Sequence, residues 1–355
     1  MVVDFAPLSG SRPSASASHL NDYAELRCVL KEKGLFKTHV FHYLLYLFFA
    51  LGLLASSAVI LISRRDFWSE GLTILVLAFS STQLCFLGHD ACHYAIFRRR
   101  WPNELFALFV GNLLVGISRG WWTHSHNLHH GKPNHPYRDP DVQISFLAFS
   151  DNQARSNEGL QRFIIRHQAF LFIPLVSFEA WNLSLKSALF LAHQHTKHRT
   201  LEIVLFIGHF CLFVAGPFFL LDVRSAIGFV LLYRGLYGLY LGLGFATNHM
   251  GMPILDPDAE TSFLKRQLLV TRDLHANRIT DFFFGPLGCQ IEHHLCPSLP
   301  RKALRQAAKV VRAHCKQNQL VYHETGLWQC YCEVFRHLRQ TGSACARREK
   351  SRGGS

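Results

Sequence analysis

The chain has 355 residues, of which 49% are hydrophobic, 13% aromatic and 17% charged, with a formal net charge of +13. That charged fraction lies below the roughly 25% usual in soluble domains, and the apolar residues gather into runs long enough to cross a bilayer, which takes about 20 residues. The basic residues flank those runs, which suits anionic headgroups and argues against nucleic-acid binding; ten cysteines, several within apolar runs or beside histidine clusters, read as reduced thiols rather than a secreted disulfide framework.

Residues 1–38 form a polar, basic arm, Ser-rich from Ser9 to Ser18, with a short helical stretch near Tyr23–Lys33. It lacks the basic start and immediate apolar stretch of a signal peptide. Residues 40–63 and 71–88 read as the first two spans, joined by Arg64-Arg65-Asp66-Phe67-Trp68-Ser69-Glu70, a link short enough to force a hairpin. The apolar stretches 104–117 and 168–183 are too short to cross and read as interfacial or half-buried helices. Residues 201–221 and 226–246 are the third and fourth spans, joined by Asp222-Val223-Arg224-Ser225.

Four crossings return both termini to one face. Arg27, Lys31, Lys33, Lys37, Arg98, Arg99 and Arg100 fall on it, against Arg64, Arg65 and Arg224 on the other, so the positive-inside rule makes it cytoplasmic. Arg234, inside the fourth span, would be costly in lipid and is expected to face protein or water. The fold class is therefore an all-α integral membrane protein with four transmembrane helices. Residues 39–340 would form the membrane domain with a cytoplasmic helical cap, and residues 341–355 a disordered tail.

Three histidine clusters lie just outside the spans: His89-Asp90-Ala91-Cys92-His93, His126-Asn127-Leu128-His129-His130 and Gln290-Ile291-Glu292-His293-His294. His249, in Asn248-His249-Met250-Gly251, completes a set of eight imidazoles. Helical residues three or four apart share a face, so His89 with His93, and His126 with His129 and His130, can each point into one volume. His293 and His294 are about 100° apart, which suits two neighbouring metals better than one. Eight imidazoles exceed the four ligands of a structural zinc, and an all-imidazole donor set favours iron, zinc or copper. Asp90, Asp139, Asp141, Asp281 and Glu292 stand near enough in sequence to orient those rings from behind. His124 reads as a supporting residue. His39, His42, His167, His193, His195, His198, His209 and His275 read as structural or interfacial. Cys315, His323, Cys330 and Cys332 match no standard zinc spacing.

The chain resembles the membrane-bound fatty-acyl desaturases. Their three histidine boxes appear as HDACH, HNLHH and QIEHH, and QIEHHLCPSLP resembles the branch in which Gln replaces the first His of the third box. The likeness covers roughly residues 20–340, including Asn134…Asp139-Pro140-Asp141 and Gln267…Thr271-Arg272. It implies a cap holding two irons. The implied ligands are His89, His93, His126, His129, His130, His249, His293 and His294, with Gln290 in a box position but a poor iron ligand that acts through water or orients a neighbour. It also implies activation of O2 as co-substrate and removal of hydrogen from adjacent carbons of a fatty acyl chain, leaving a cis double bond. The acyl chain could be carried on CoA, acyl carrier protein or a lipid.

Relatives with this third box often carry a fused haem domain with an His-Pro-Gly-Gly motif. Here His135-Pro136 is followed by Tyr137 and no such motif occurs in the sequence. A separate electron donor, a ferredoxin or small haem protein, is therefore expected on the basic cytoplasmic face. Hydroxylation or acetylene formation on the same scaffold is the sibling chemistry. A His-rich metal transporter or receptor is the alternative of another class, but it should carry its ligands near mid-membrane, whereas these lie outside the spans.

Overall fold

The computed structural model describes residues 15–64, 66–255 and 261–352. Ser9 to Ser14, Arg65 and residues 353–355 lie outside the described residues. Helix α1 (Ala15–Glu32) precedes α2 (Val40–Ser63) and α3 (Phe67–Cys92), and α4 (Arg100–Ala107) continues as a π-helical stretch, Leu108–Val115, before α5 (Arg119–Gly131). Short helices α6 (Asp151–Ser156) and α7 (Gly159–Arg166) lead into α8 (Gln168–Ser177) and α9 (Glu179–His193). Helix α10 (Arg199–Phe210) passes through a second π stretch, Cys211–Ala215, into α11 (Pro217–Leu220), followed by α12 (Val223–His249). The cap adds α13 (Phe263–Val270), α14 (Arg278–Phe284), α15 (Gln290–Leu295), α16 (Arg301–Gln317) and α17 (Leu327–Arg352). The only strands among the described residues are β1 (Asp273–Leu274) and β2 (Glu324–Thr325), paired in parallel.

Among the described residues, four helical segments are long and apolar enough to cross a membrane: α2, α3, α10 with α11, and α12, of 24, 26, 22 and 27 residues. The expected all-α membrane architecture is what the chain adopts. The second helix of each hairpin starts on an aspartate. Asp66 accepts from the Trp68 and Ser69 amides, and Asp222 from those of Arg224 and Ser225, filling orphan donors at the helix start. Helices α2 and α10 leave apolar faces uncovered, with Phe48 66% and Val204 60% exposed, as lipid contact requires. Helices α3 and α12 pack against each other and are the more buried pair. Both end on the cap side, at His89 and His249.

The apolar stretch 104–117 belongs to a bent pair. Residues 100–115 and 119–131 meet at 105°. Gly116 makes the corner at φ +75°, where a Cβ would fall 2.4 Å from the His209 ring, so only glycine fits. Buried Glu202 of α10 then holds the start of α5, accepting from Ser118 Oγ (2.6 Å), the Gly120 amide (2.9 Å) and Thr196 Oγ1 (3.0 Å). An anion at a helix N-terminus is favoured by the helix dipole. This corner aims α5, and with it the second cluster, at the ends of α3 and α12.

Arg234 is fully buried in protein, as expected. Its guanidinium donates to Ser184 Oγ (2.7 Å) and the Ala180 carbonyl (2.5 Å), approaches His209 Nε2 (3.3 Å), and lies over the Trp181 ring at 4.6 Å. His209 is thus structural.

The tail departs from expectation. Residues 341–352, read as disordered, continue α17. Ala344 and Cys345 are buried in a small cluster with Ala154 and Ile165, and Arg162 donates to the Cys345 carbonyl at 2.9 Å. Local composition is polar, so the docking on α6 and α7 that orders it could not be read locally. Cys315, His323, Cys330 and Cys332 form no metal-sized group among the described residues, and Cys330 sits in an apolar cluster.

Helix α12 meets the start of α9 through Gly238, where a Cβ would lie 2.5 Å from the Ser177 carbonyl oxygen and 2.9 Å from the Ala180 amide. Both contacts are backbone and cannot move aside. Gly238→Ala is expected to cost about 1–3 kcal/mol through overpacking, read as a lowered Tm of the purified protein; an unchanged Tm would contradict this packing.

Candidate metal centre

The clusters come from four directions. His89 lies in the last turn of α3 and His93 just past it; His126, His129 and His130 stand on α5; His249 ends α12; His293 and His294 sit on α15. They converge into two groups. Ligand atoms of His89, His93, His126, His130 and His293 lie within 4.8 Å of one another, as do those of His129, His249 and His294. His293 and His294 fall in different groups. His130 and His294 stack across the boundary at 4.2 Å between ring centres.

What stands behind the rings decides which nitrogen faces inward. His89 Nδ1 lies 3.1 Å from Asp90, itself held by Arg301 Nε at 3.1 Å. His129 Nδ1 lies 3.0 Å from Asp139 and 3.4 Å from Asp141. His249 Nδ1 faces the Val270 carbonyl at 2.8 Å, and His294 Nδ1 faces Gln267 Oε1 at 3.0 Å. With Nδ1–H donated outward, each Nε2 presents its lone pair inward.

Those inward nitrogens crowd together. Nε2 of His249 is 3.2 Å from that of His129 and 3.0 Å from that of His294. In the larger group, His126 is 3.1 Å from His89 and 3.0 Å from His130, and His130 is 3.0 Å from His293. Lone pair against lone pair at such distances is repulsive without a cation between them. Two nitrogens each about 2.1 Å from one metal ion and about 90° apart would stand about 3.0 Å from each other, so the donor set fits metal ions. Burial, then neighbouring imidazoles, hold His93, His126, His130, His293 and His294 well below the ordinary histidine range, in the neutral form that ligation requires. Burial also pulls His129 down, but Asp141 and Asp139 outweigh it and carry it up to about 9; a metal ion would take that proton's place.

Of the five carboxylates expected behind the rings, Asp90, Asp139 and Asp141 stand there. Asp281 and Glu292 do not. Asp281 pairs with Arg305, whose Nε donates at 2.9 Å. Glu292 points away from the imidazoles, into a buried pair with Asp273 in which the Tyr322 hydroxyl reaches both carboxyls, at 3.1 and 2.7 Å. Burial first, then the charge of Asp273, push Glu292 well up. Asp273 also accepts from the Ile291 amide at 2.8 Å, bracing α15 from behind. Successive helical residues point about 100° apart, so a carboxylate next to a ligating histidine in sequence need not face the same volume.

The family resemblance takes in Gln267 and Asn134, but nothing local indicates the bridging and bracing roles they have. Gln267 accepts from His294 through Oε1 and donates through Nε2 to the His130 carbonyl at 2.9 Å, tying the second cluster to the third. Asn134, at φ +54°, uses its amide to donate to Asp139 at 2.7 Å and its side chain to reach the His249 carbonyl at 3.2 Å. His124 packs beside Phe190 at 5.7 Å between ring centres and belongs to neither group.

A cavity of about 820 Å³ runs up to the metal-facing rings and touches His89, His126, His129 and His249. Its walls are mostly apolar, with Trp121, Trp122, Phe149, Leu175 and Phe245 among them. Gln290 also lines it, with a buried Oε1 that has no hydrogen-bond partner.

The family model for fatty acid desaturase matches residues 66–326. An acyl-lipid (9-3)-desaturase of Physcomitrium patens is 30% identical over 347 residues, covering 92% of this chain and 64% of that protein. Delta(8)-fatty-acid desaturases of Arabidopsis thaliana and Helianthus annuus are 28% and 30% identical, covering 90% of this chain and 74% and 72% of their own lengths. The chain thus spans just under two thirds of the first of these relatives and somewhat more of the other two. Match and coverage together establish that the chain belongs to the fatty acid desaturase family, a family of oxidoreductases.

Proposed function

We propose that the protein is an oxygen-dependent di-iron desaturase that introduces a cis double bond into a fatty acyl chain. The observation that carries this reading is the meeting of two imidazole groups with an apolar cavity large enough for a ligand of this class. A transporter reading would want its ligands within the spans, and these lie at span ends and in the cap.

The division of labour follows from the residues. His89, His93, His126, His130 and His293 would hold one iron, and His129, His249 and His294 the other. The chemistry supplied by bound iron is the activation of dioxygen for hydrogen removal from unactivated C–H bonds, which no side-chain acid or base can perform. The balance is one acyl CH2–CH2, one O2, two electrons and two protons in, and one CH=CH and two waters out. The cavity walls do the positioning. Each buried methylene contributes only about 0.8 kcal/mol, so the double-bond position must come from where the walls stop the chain beneath His89, His126, His129 and His249. The aromatic walls also exclude water from the reacting carbons. Gln290 offers its free amide oxygen at this junction and can hold a water or orient a neighbouring group.

The donor of electrons would be a separate ferredoxin or small haem protein meeting the exposed Arg98, Arg99 and Arg100. The same basic face, with Arg27, Lys31, Lys33 and Lys37, supports a cytoplasmic side for the cap, the metal centre and both termini.

Expression in a host of known lipid composition tests the reading. New cis-unsaturated acyl chains are expected on fatty-acid profiling, and their absence from an iron-loaded, membrane-inserted protein would overturn it. His129→Ala is expected to abolish the product without loss of membrane insertion, whereas His195→Ala, outside both groups, leaves the product level near that of the wild type. Metal analysis tests the two-group partition: wild-type protein should hold about two irons per chain and His249→Ala about one. An unchanged iron content in His249→Ala would sink the three-imidazole site.

A further inference from the structure

Behind the metal-facing wall lies a second, much smaller hollow. It measures about 20 Å³ and lies between the last turns of α3 and the Gly116 corner. Gly88 and Cys92 of α3 face Ala107 and Val115 across it, and His89 and Trp122 close one side. Those two residues also line the large cavity. They form a partition with acyl space on one side and the small hollow on the other. Trp122 is fixed in that wall by stacking on His126, 4.8 Å between ring centres and 25° between planes.

The hollow is there by construction. Helix α3 and the π-helical arm come close at Gly88, where a Cβ would stand 3.5 Å from Val110 Cγ1 and 3.9 Å from the Gly111 amide. Gly111 is tighter, with a Cβ position 3.2 Å from the Ile117 carbonyl oxygen. Ala107 ends α4 and Val115 ends the π-helical stretch, both of which pack on α3, and π-helical turns recur at functional sites. Ala107, Val115 and Ile117 are nearly fully buried, and with Cys85 and Cys92 they make half of the lining aliphatic or thiol, while Arg119, His89 and Trp122 add its polar groups. A single water needs roughly 10–15 Å³, so the space suits one very small molecule.

The reaction proposed above has two substrates. One is a long acyl chain that fills the large cavity up to His89 and His126. The other, dioxygen, is small and apolar and prefers hydrocarbon to water, so it can enter through the membrane-facing part of the fold. Once the acyl chain is seated, dioxygen needs a place touching the metal centre from another side, and the small hollow touches His89 without belonging to the acyl space. We infer that this hollow holds dioxygen, separated from the acyl chain by His89 and Trp122. The inference rests on the desaturase reading. Its competitor is an ordered water, because Arg119 Nε and Trp122 Nε1 are buried N–H groups without partners at its rim.

Xenon occupies dry apolar cavities that accept small gases. In xenon-pressurised crystals of the zinc-loaded protein, density is expected between Gly88 and Ala107, and Ala107→Leu is expected to remove it. In the iron-loaded enzyme the same substitution should lower kcat/KM for dioxygen roughly tenfold while the KM for the acyl substrate stays near the wild-type value. Ala107→Val, a smaller filling, should give a lesser drop and serves if the leucine variant fails to fold. A water in place of xenon, or an oxygen dependence unmoved by either folded variant, would overturn the assignment. Absence of xenon from an active desaturase overturns the dioxygen site alone; xenon in a protein that forms no double bond overturns the desaturase reading and this inference with it.

Discussion

Eight histidine side chains are taken out of water here and turned so that most of their free lone pairs meet. Burial of that many imidazoles without partners would be costly, since each loses its hydrogen bonds to solvent. The cost is offset twice. Four rings donate Nδ1–H to Asp90, Asp139, the Val270 carbonyl and Gln267, and the Nε2 atoms so released stand about 3 Å apart, spaced for metal ions. Everything else in the fold keeps four separately anchored segments in register at this one place.

The anchoring is a membrane problem as much as a cap problem. Helices α3 and α12 are membrane-spanning helices packed on each other, and their cap-side ends bring His89 and His249 to the two neighbouring imidazole groups. Helix α5 cannot be delivered by a straight span. It is turned through a sharp corner at Gly116 and pinned by Glu202. Helix α15 has only six residues and little stability of its own. It is held by Asp273 and Tyr322 from behind and by Gln267 from the side. The buried Asp273–Glu292 pair thus belongs to the scaffold, although it adjoins two metal-facing residues.

Much of this was legible in the sequence because spacing and hydropathy are local. The four spans follow from long apolar runs, and α3 and α12 begin a few residues before theirs because Asp66 and Asp222 cap them there. The one-face argument for His126, His129 and His130 holds in that all three enter the centre, but it does not say which neighbour each meets: His129 leaves its two helix-mates to join His249 and His294. The division between His293 and His294 did follow from their angular offset. What could not be read was tertiary. Glu292 lies beside ligand-type residues in sequence and faces elsewhere in space; Gln267 and the Val270 carbonyl lie far off in sequence and support the rings directly. The start of the tail differs for the same reason, since Ala344 and Cys345 pack on α6 and α7.

The two cavities give the centre a direction. The large cavity approaches His89, His126, His129 and His249, and the small hollow meets His89 and Trp122, which line both. The central claim is that the imidazoles form two adjacent metal sites, one of five rings and one of three. Anomalous scattering at the iron edge from crystals of the iron-loaded protein measures this most directly. The account predicts two peaks, one among His89, His93, His126, His130 and His293 and the other among His129, His249 and His294. A single peak shared by all eight, or iron bound elsewhere with these rings turned apart, would contradict it.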